Sequence, residues 1–398
     1  MARRKLAISL FIITAYTGTV AFRMSMPAIA FYAKNVLEAS MLGIGLLTSS
    51  FFIARGITAM IAGGLTDKLR SKMLVASTAG FLLNALVVQL YPAVANIYWL
   101  LLLRFVQGVL NGFAWVPIQA LLGFITDKNI RGRIYSIYFI LGALGALTGN
   151  LIYSALSSAP LTHILVISSI FFILSSIKIV FAKSMIGENV SIENQFEKRG
   201  QPSARHVVQT TILTIIPLIL VVFSSNMFSS ILKGDLIYVY LNMYLGLSKS
   251  IASLIIGFAG VIVLPVNYMI SWIADKRSGK TALEISLAIG IVGGLLLSMR
   301  NPFLAVPGLI LAMIGGSSIV PITRKLAVSI RSYGGTGIGI INTSGNIGSM
   351  TGSAIAGLVF DRLSSIYLGG ELVLSMMLMV LPLFIAIILV TLMLEENY

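Results

Sequence analysis

The sequence predicts an all-α membrane protein of twelve transmembrane helices arranged as two six-helix bundles, and three observations predict it. Hydrophobic residues make up 57% of the 398 and charged residues only 10%, against roughly 45–50% apolar residues in soluble domains, so no single aqueous core could bury them. Apolar runs long enough to cross about 30 Å of hydrocarbon recur from one end to the other, and each must be helical because lipid offers bare backbone no hydrogen-bond partner. The second half of the chain also repeats residues of the first in the same order.

The first run, 6–32, follows Arg3, Arg4 and Lys5 and imitates a secretory signal, with Ala28-Ile29-Ala30 at a cleavage-like position. It is too long for a signal core, and its equivalent returns inside the chain at 208–242. Runs at 40–65 and 73–93 flank a basic turn, and 97–122, 133–157 and 161–183 complete a first bundle over 1–183. Residues 184–207 break the hydrophobic pattern with Glu188, Glu193, Glu197 and a Gly-Gln-Pro turn, and read as a cytoplasmic linker. The second bundle, 208–398, repeats the series at 208–242, 248–273, 281–299, 302–323, 335–360 and 372–394.

The net charge of +15 is placed by side rather than by patch. Arg3, Arg4, Lys5, Lys68, Arg70, Lys72, Lys128, Arg131, Arg133, Lys183, Lys198, Arg199, Arg205, Lys276, Arg277, Lys280, Arg324, Lys325 and Arg331 fall in gaps on one side. The opposite gaps hold Lys34, Lys249, Arg300 and Arg362. Basic residues concentrate on the cytoplasmic side of a membrane protein, so both termini are expected in the cytoplasm, a plasma-membrane location fits, and a nucleic-acid partner does not. Cysteine is absent, which excludes disulfides and thiolate chemistry. His163 and His206 stand apart from each other and from acidic clusters, so neither a metal nor another cofactor is expected.

Internal similarity supports two repeats of six helices in the same orientation. Asp67-Lys68 and Asp275-Lys276 lie 208 residues apart, as do Lys72 and Lys280, Ile29 and Ile237, and Tyr32 and Tyr240. Val116-Pro117-Ile118 returns as Val320-Pro321-Ile322 at an offset of 204, and Gly142, Gly145 and Gly149 return as Gly345, Gly348 and Gly352 at 203. Glycines at such spacing strip side chains from one helix face and favour close packing.

Two motifs carry chemistry. Gly63-Gly-Leu-Thr-Asp67-Lys68-Leu-Arg70-Ser-Lys72 stands in the turn between the second and third spans. Gly63 is small enough for close helix approach, and Asp67 can accept from helix-terminal N–H groups or a basic partner. Arg104-Phe-Val-Gln107-Gly108-Val-Leu-Asn111 stands in the fourth span, where an arginine costs several kcal/mol unless it faces protein or water. These stretches resemble the signature Gly-x-Leu-Ala-Asp-Arg-x-Gly-Arg-Lys and the Arg-x-x-Gln-Gly pattern of the major facilitator superfamily. Arg70 replaces the second signature glycine. The resemblance implies two bundles around a central cavity, no covalent chemistry, a cytoplasmic latch at Gly63, Asp67, Lys68 and Lys72 with Asp275 and Lys276, and a role for Arg104 in substrate or proton handling. Drug–proton antiporters of that superfamily carry Gly-Pro-x-x-Gly-Gly in the fifth span; here Gly145-Ala-Leu-Thr-Gly149-Asn150 lacks the proline and the last glycine.

Arg23, Arg55, Arg104, Lys233 and Asp235 lie within apolar runs, and the first six spans hold no acid at that depth. Such a basic cavity either binds an anion or is neutralised by carbonyls and Asp235. The expected solute is small, organic and anionic, held by Arg23, Arg55, Arg104, Gln107, Asn111, Asn226, Asn342 and Asn346, with Gln119 and Asn150 as further polar contacts. Asp235 is the first candidate to carry a coupling proton. The expectation is a monomeric secondary transporter rather than an enzyme, with two alternatives: a proton-coupled exporter of multiple drugs or lipophilic compounds, and a membrane receptor that has kept the scaffold.

Overall fold

The computed structural model describes residues 2–127, 130–186, 204–299, 301–329, 334–364 and 377–393. Residues 187–203, most of the expected linker, lie outside the described residues, as do Lys128, Arg300 and Arg331 of the charged turns. Among the described residues the regular elements are helices. The first half supplies α1 (Ala2–Asn35), α2 (Met41–Leu69), α3 (Leu74–Leu90), α4 (Ile97–Ile125), α5 (Arg131–Ala155) and α6 (Leu161–Ile186). The second supplies α7 (Ala204–Lys233), α8 (Leu236–Met243), α9 (Lys249–Lys276), α10 (Gly279–Leu297), α11 (Pro302–Ser329), α12 (Gly334–Ser364) and α13 (Leu381–Met393). A break at Gly234 and Asp235 divides the seventh span into α7 and α8, so the thirteen helices among the described residues make twelve spans.

Local chemistry sets the ends. Asn96 caps α4 by accepting from the N–H groups of Tyr98 and Trp99 at 3.1 and 3.2 Å, and Asn301 accepts from Phe303 N–H at 2.9 Å at the start of α11. Arg70, the residue in the glycine slot of the turn motif, has φ +51°. The turn therefore keeps the left-handed backbone that glycine adopts freely and other residues adopt at a cost of about 1 kcal/mol. Lipid-facing surface is apolar: α6 exposes Ile170, Ile173, Ile177, Val180 and Phe181.

The chain divides into two compact units. Unit 1 comprises Met1–Glu38, Ser50–Glu197 and Ser248–Val261; unit 2 comprises Ala39–Ser49, Lys198–Leu247 and Ile262–Tyr398. Within unit 1, α1 lies against α5 and α6, and α3 against α4 and α6; within unit 2, α7 lies against α12 and α13, and α10 against α11 and α13. Replacing each helix by its repeat converts one pattern into the other. A Cβ on Gly149 of α5 would stand 2.6 Å from the Val20 carbonyl oxygen of α1, and Gly145 meets the Tyr16 carbonyl still more closely. In unit 2, Gly348 and Gly352 of α12 meet the Phe223 and Met227 carbonyls of α7 in the same way. Gly142 is freer, with Thr19 Oγ1 3.9 Å away, while Gly345 faces the Asn226 amide at 3.1 Å. Even single hydrogen bonds repeat: Tyr32 donates to the Val94 carbonyl and Tyr240 to the Leu297 carbonyl, both at 2.8 Å.

Each unit is completed by a helix end from the other half of the sequence, through equivalent seams. In unit 2, Gly357 of α12 lies against Met41 and Leu42 of α2, Gly45 against Ser353, and Ser49 Oγ donates to the Met350 carbonyl at 2.6 Å. In unit 1, Ser154 of α5 meets Ser250 of α9 at 2.6 Å, Ser253 donates to Asn150 Oδ1 at 2.9 Å, and Gly257 faces Leu147 at 3.2 Å. Offsets of 208 for α2 and α9 and 203 for α5 and α12 carry one set of pairs onto the other.

Candidate functional site

Arg55 stands at the midpoint of α2, fourteen residues from either end of the helix, which is roughly 21 Å at 1.5 Å per residue. Its side chain is half-buried and makes no hydrogen bond or ion pair among the described residues. The groups that act on it electrostatically are the phenol of Tyr138 from α5 and the guanidinium of Arg23 from α1. Arg23, also half-buried, directs Nη1 at Met26 Sδ, 3.5 Å away, a weak acceptor. Tyr138 is 3% exposed, and its hydroxyl has no hydrogen-bond partner among the described residues. The Gln119 side chain of α4 lies beside that hydroxyl without reaching hydrogen-bond geometry. One turn earlier, Tyr135 is satisfied, donating to the Gln119 carbonyl at 2.6 Å. Arg23 of α1, Arg55 of α2, Gln119 of α4 and Tyr138 of α5 thus give unit 1 two guanidinium groups and two neutral polar side chains within its apolar spans.

Arg104 is placed differently. It is 1% exposed, and its Nη1 donates to Gln107 Oε1 at 2.9 Å, an oxygen that also accepts from the Tyr91 hydroxyl at 3.0 Å. The guanidinium lies 6.0 Å from the Phe22 ring centroid and 5.8 Å from that of Phe51, rings that are themselves 5.1 Å apart. Gly108 lets the Phe51 carbonyl approach α4 closely, which brings these rings onto the arginine. A buried cation is thereby held by an amide oxygen and two aromatic faces. Gln107 keeps its Nε2 without a partner among the described residues, and Asn111 follows one turn later, 5% exposed.

In unit 2, Asp235 is fully buried at the break between α7 and α8. The Thr48 hydroxyl donates to its Oδ2 at 2.8 Å and accepts from its N–H at 2.9 Å. Asn226 is half-buried and donates to the Val222 carbonyl one turn back at 2.9 Å. It faces Gly345, with exposed Asn342 and half-buried Asn346 flanking that glycine along α12. The turn-motif residues Asp67, Lys68, Lys72, Asp275 and Lys276 are exposed, and Asp67 makes no hydrogen bond or ion pair among the described residues. A Cβ placed on Gly63 would find its nearest neighbour in Val116 Cγ1, 3.9 Å away, so no tight helix approach occurs there.

Sequence reasoning did not single out Tyr138, Thr48, Asp361 or Lys178. Asp361 at the end of α12 accepts from the N–H groups of Met41 and Leu42 at 2.7 and 2.8 Å. Nearby, burial first and the Asp361 charge second push the Tyr244 phenol above its ordinary pKa. Lys178 of α6 donates to Thr17 at 3.3 Å. A hydroxyl inside an apolar run reads as packing, and partners 187 or 320 positions apart leave no mark in linear sequence.

A family model described as Major Facilitator Superfamily matches residues 8–353. A sequence comparison with curated proteins finds no match. Among solved structures, a mutant of the nucleoside transporter NupG superposes with a TM-score of 0.76 at 15% identity, over 98% of this chain and 100% of that one. A bacterial homolog to the human lysosomal transporter Spinster, inward-facing and unoccupied, gives 0.73 at 15% identity over 98% and 96% of the two chains. The occupied form of that homolog gives 0.73 at 16% over 96% of each. At these identities the likeness is one of fold.

Proposed function

We propose that this chain, which belongs to the major facilitator superfamily, is a secondary transporter that carries a small organic anion by alternating access. The observation that carries the reading is Arg55: a half-buried cation at mid-helix with no hydrogen bond or ion pair among the described residues. A charge at the centre of a bilayer costs about 2.5–3.5 kcal/mol even on lenient scales, so a site that keeps one is explained by a solute that brings the opposite charge. Arg23 adds positive potential, Gln107 and Asn111 are the proposed neutral contacts of unit 1, and Asn226, Asn342 and Asn346 are the proposed contacts of unit 2. Asp235, held by Thr48, is the proposed proton carrier, and Asp67 with Lys68, Lys72, Asp275 and Lys276 the cytoplasmic latch. The placement of basic residues supports cytoplasmic termini in the plasma membrane.

Counterflow in proteoliposomes tests the reading with labelled organic anions, lipophilic cations and neutral nucleosides. Anions are expected to exchange, Arg55→Ala to abolish the exchange, and Arg55→Lys to retain part of it. Movement of lipophilic cations alone would replace this reading with that of an exporter.

A further inference from the structure

We infer that the start of α2 couples solute movement to the proton, with Thr48 as the positioning residue of Asp235; this rests on the reading of Asp235 as proton carrier above. Thr48 is 2% exposed and Asp235 0%. The Thr48 hydroxyl donates to Asp235 Oδ2 at 2.8 Å and accepts from the Asp235 N–H at 2.9 Å. Carboxylate and backbone are thus both fixed to α2 at the break between α7 and α8. Gly234 permits this approach, since a Cβ there would stand 2.6 Å from Thr48 Oγ1. Thr48 shares one helix face with the other residues by which α2 seats in unit 2. Met41 and Leu42 donate to Asp361, Gly45 lies against Ser353, and Ser49 donates to the Met350 carbonyl. A shift of α2 from this seat therefore takes from Asp235 one hydrogen bond to its carboxylate and another to its amide.

The internal repeat separates function from packing. At the offset of 208, Asp235 corresponds to Pro27 and Thr48 to Ile256, and both of these are buried in unit 1. There the start of α9 seats through Ser250, Ser253 and Gly257, as the start of α2 seats through Leu42, Gly45 and Ser49 in unit 2. One seam forms with an apolar pair and the other with a polar one. Packing alone favours the apolar choice, because a carboxylate taken out of water is costly even when hydrogen-bonded. Around Asp235 the seated face of α2 carries no ionisable group, α8 carries Tyr238 and Tyr240, α7 ends in Lys233, and Asp361 of α12 is engaged with Met41 and Leu42. Thr48 is the neutral donor through which α2 reaches the acid.

The test compares wild type, Thr48→Val, Thr48→Ser and Asp235→Asn in proteoliposomes, with labelled benzoate, lactate and succinate as probes. Each protein is assayed for counterflow without a pH gradient and for accumulation driven by one. Thr48→Val is expected to exchange close to the wild-type rate but to accumulate at least about tenfold less. That factor corresponds to about 1.4 kcal/mol, roughly one hydrogen bond to a charged group. Thr48→Ser, which keeps the hydroxyl, is expected to restore accumulation. A wholly structural role lowers exchange and accumulation together, and that result, or a Thr48→Val that does not fold, overturns the inference. Accumulation lost in Asp235→Asn but unchanged in Thr48→Val also overturns it and leaves the carrier reading standing. Accumulation that survives in Asp235→Asn, or that no probe shows in wild type, defeats the carrier reading and this inference with it.

Discussion

Arg104 shows how a charge is kept inside an apolar span: the side chain is enclosed by Phe22 and Phe51 and tied to Gln107, which Tyr91 also holds. From sequence alone, Arg104→Ala is expected to abolish transport in an otherwise intact protein. The enclosure adds a second consequence, because truncation removes two cation–π contacts and a charge-assisted hydrogen bond, together about 2 kcal/mol. Both transport and the melting temperature of Arg104→Ala in detergent should therefore fall, and a melting temperature equal to wild type would contradict the packing role. The motif announced this arginine; its burial came from Gly108 and the aromatic pair, which no spacing rule connects. At Arg70 the reverse holds. The sequence departs from its signature, yet Arg70 at φ +51° adopts a backbone that glycine takes up freely.

Helices meet where glycine rows permit it, and the rows were legible because their spacing is local. Gly145 is pressed against the Tyr16 carbonyl, whereas Gly142, three residues earlier on α5, has Thr19 Oγ1 at 3.9 Å. A methyl group at 145 must push α1 from α5, a backbone displacement costing about 1–3 kcal/mol; one at 142 makes an ordinary contact. Melting curves of Gly145→Ala and Gly142→Ala are expected to separate, the first lowered and the second near wild type. The start of α2 is a different case, since its cap is Asp361 of α12, 320 positions away. Removing an N-terminal cap costs about 0.5–2 kcal/mol. Asp361→Ala should accordingly lower thermal stability and speed amide exchange at Met41 and Leu42, whose N–H groups lose their acceptor; unchanged exchange there would show that the carboxylate is dispensable. Such long-range pairs, like Thr48 with Asp235, were illegible because nothing in either segment encodes the other.

For the molecule as a whole, hydropathy, the repeat and the sidedness of charge are one-dimensional patterns, and they reached the twelve spans and the seventh-span acid. They could not reach the break at Gly234 that places Asp235 on Thr48, nor the seams by which α2 and α9 each contribute an end to the other half's unit. Repetition constrains those seams all the same: Leu42, Gly45 and Ser49 occupy the positions of Ser250, Ser253 and Gly257, and five of these six residues are small. The repeat in the sequence predicts that equivalent turns face the same side of the membrane. The sequence holds no cysteine, so single replacements report their side without background. Lys68→Cys and Arg277→Cys, in the equivalent basic turns, should resist a membrane-impermeant maleimide on intact cells and react after permeabilisation. Ala95→Cys, exposed in the turn before α4, should react at once. Labelling of Lys68→Cys without labelling of Arg277→Cys would break the equivalence of the two halves, and the inverse of the whole pattern would place the basic turns, and both termini with them, outside the cell.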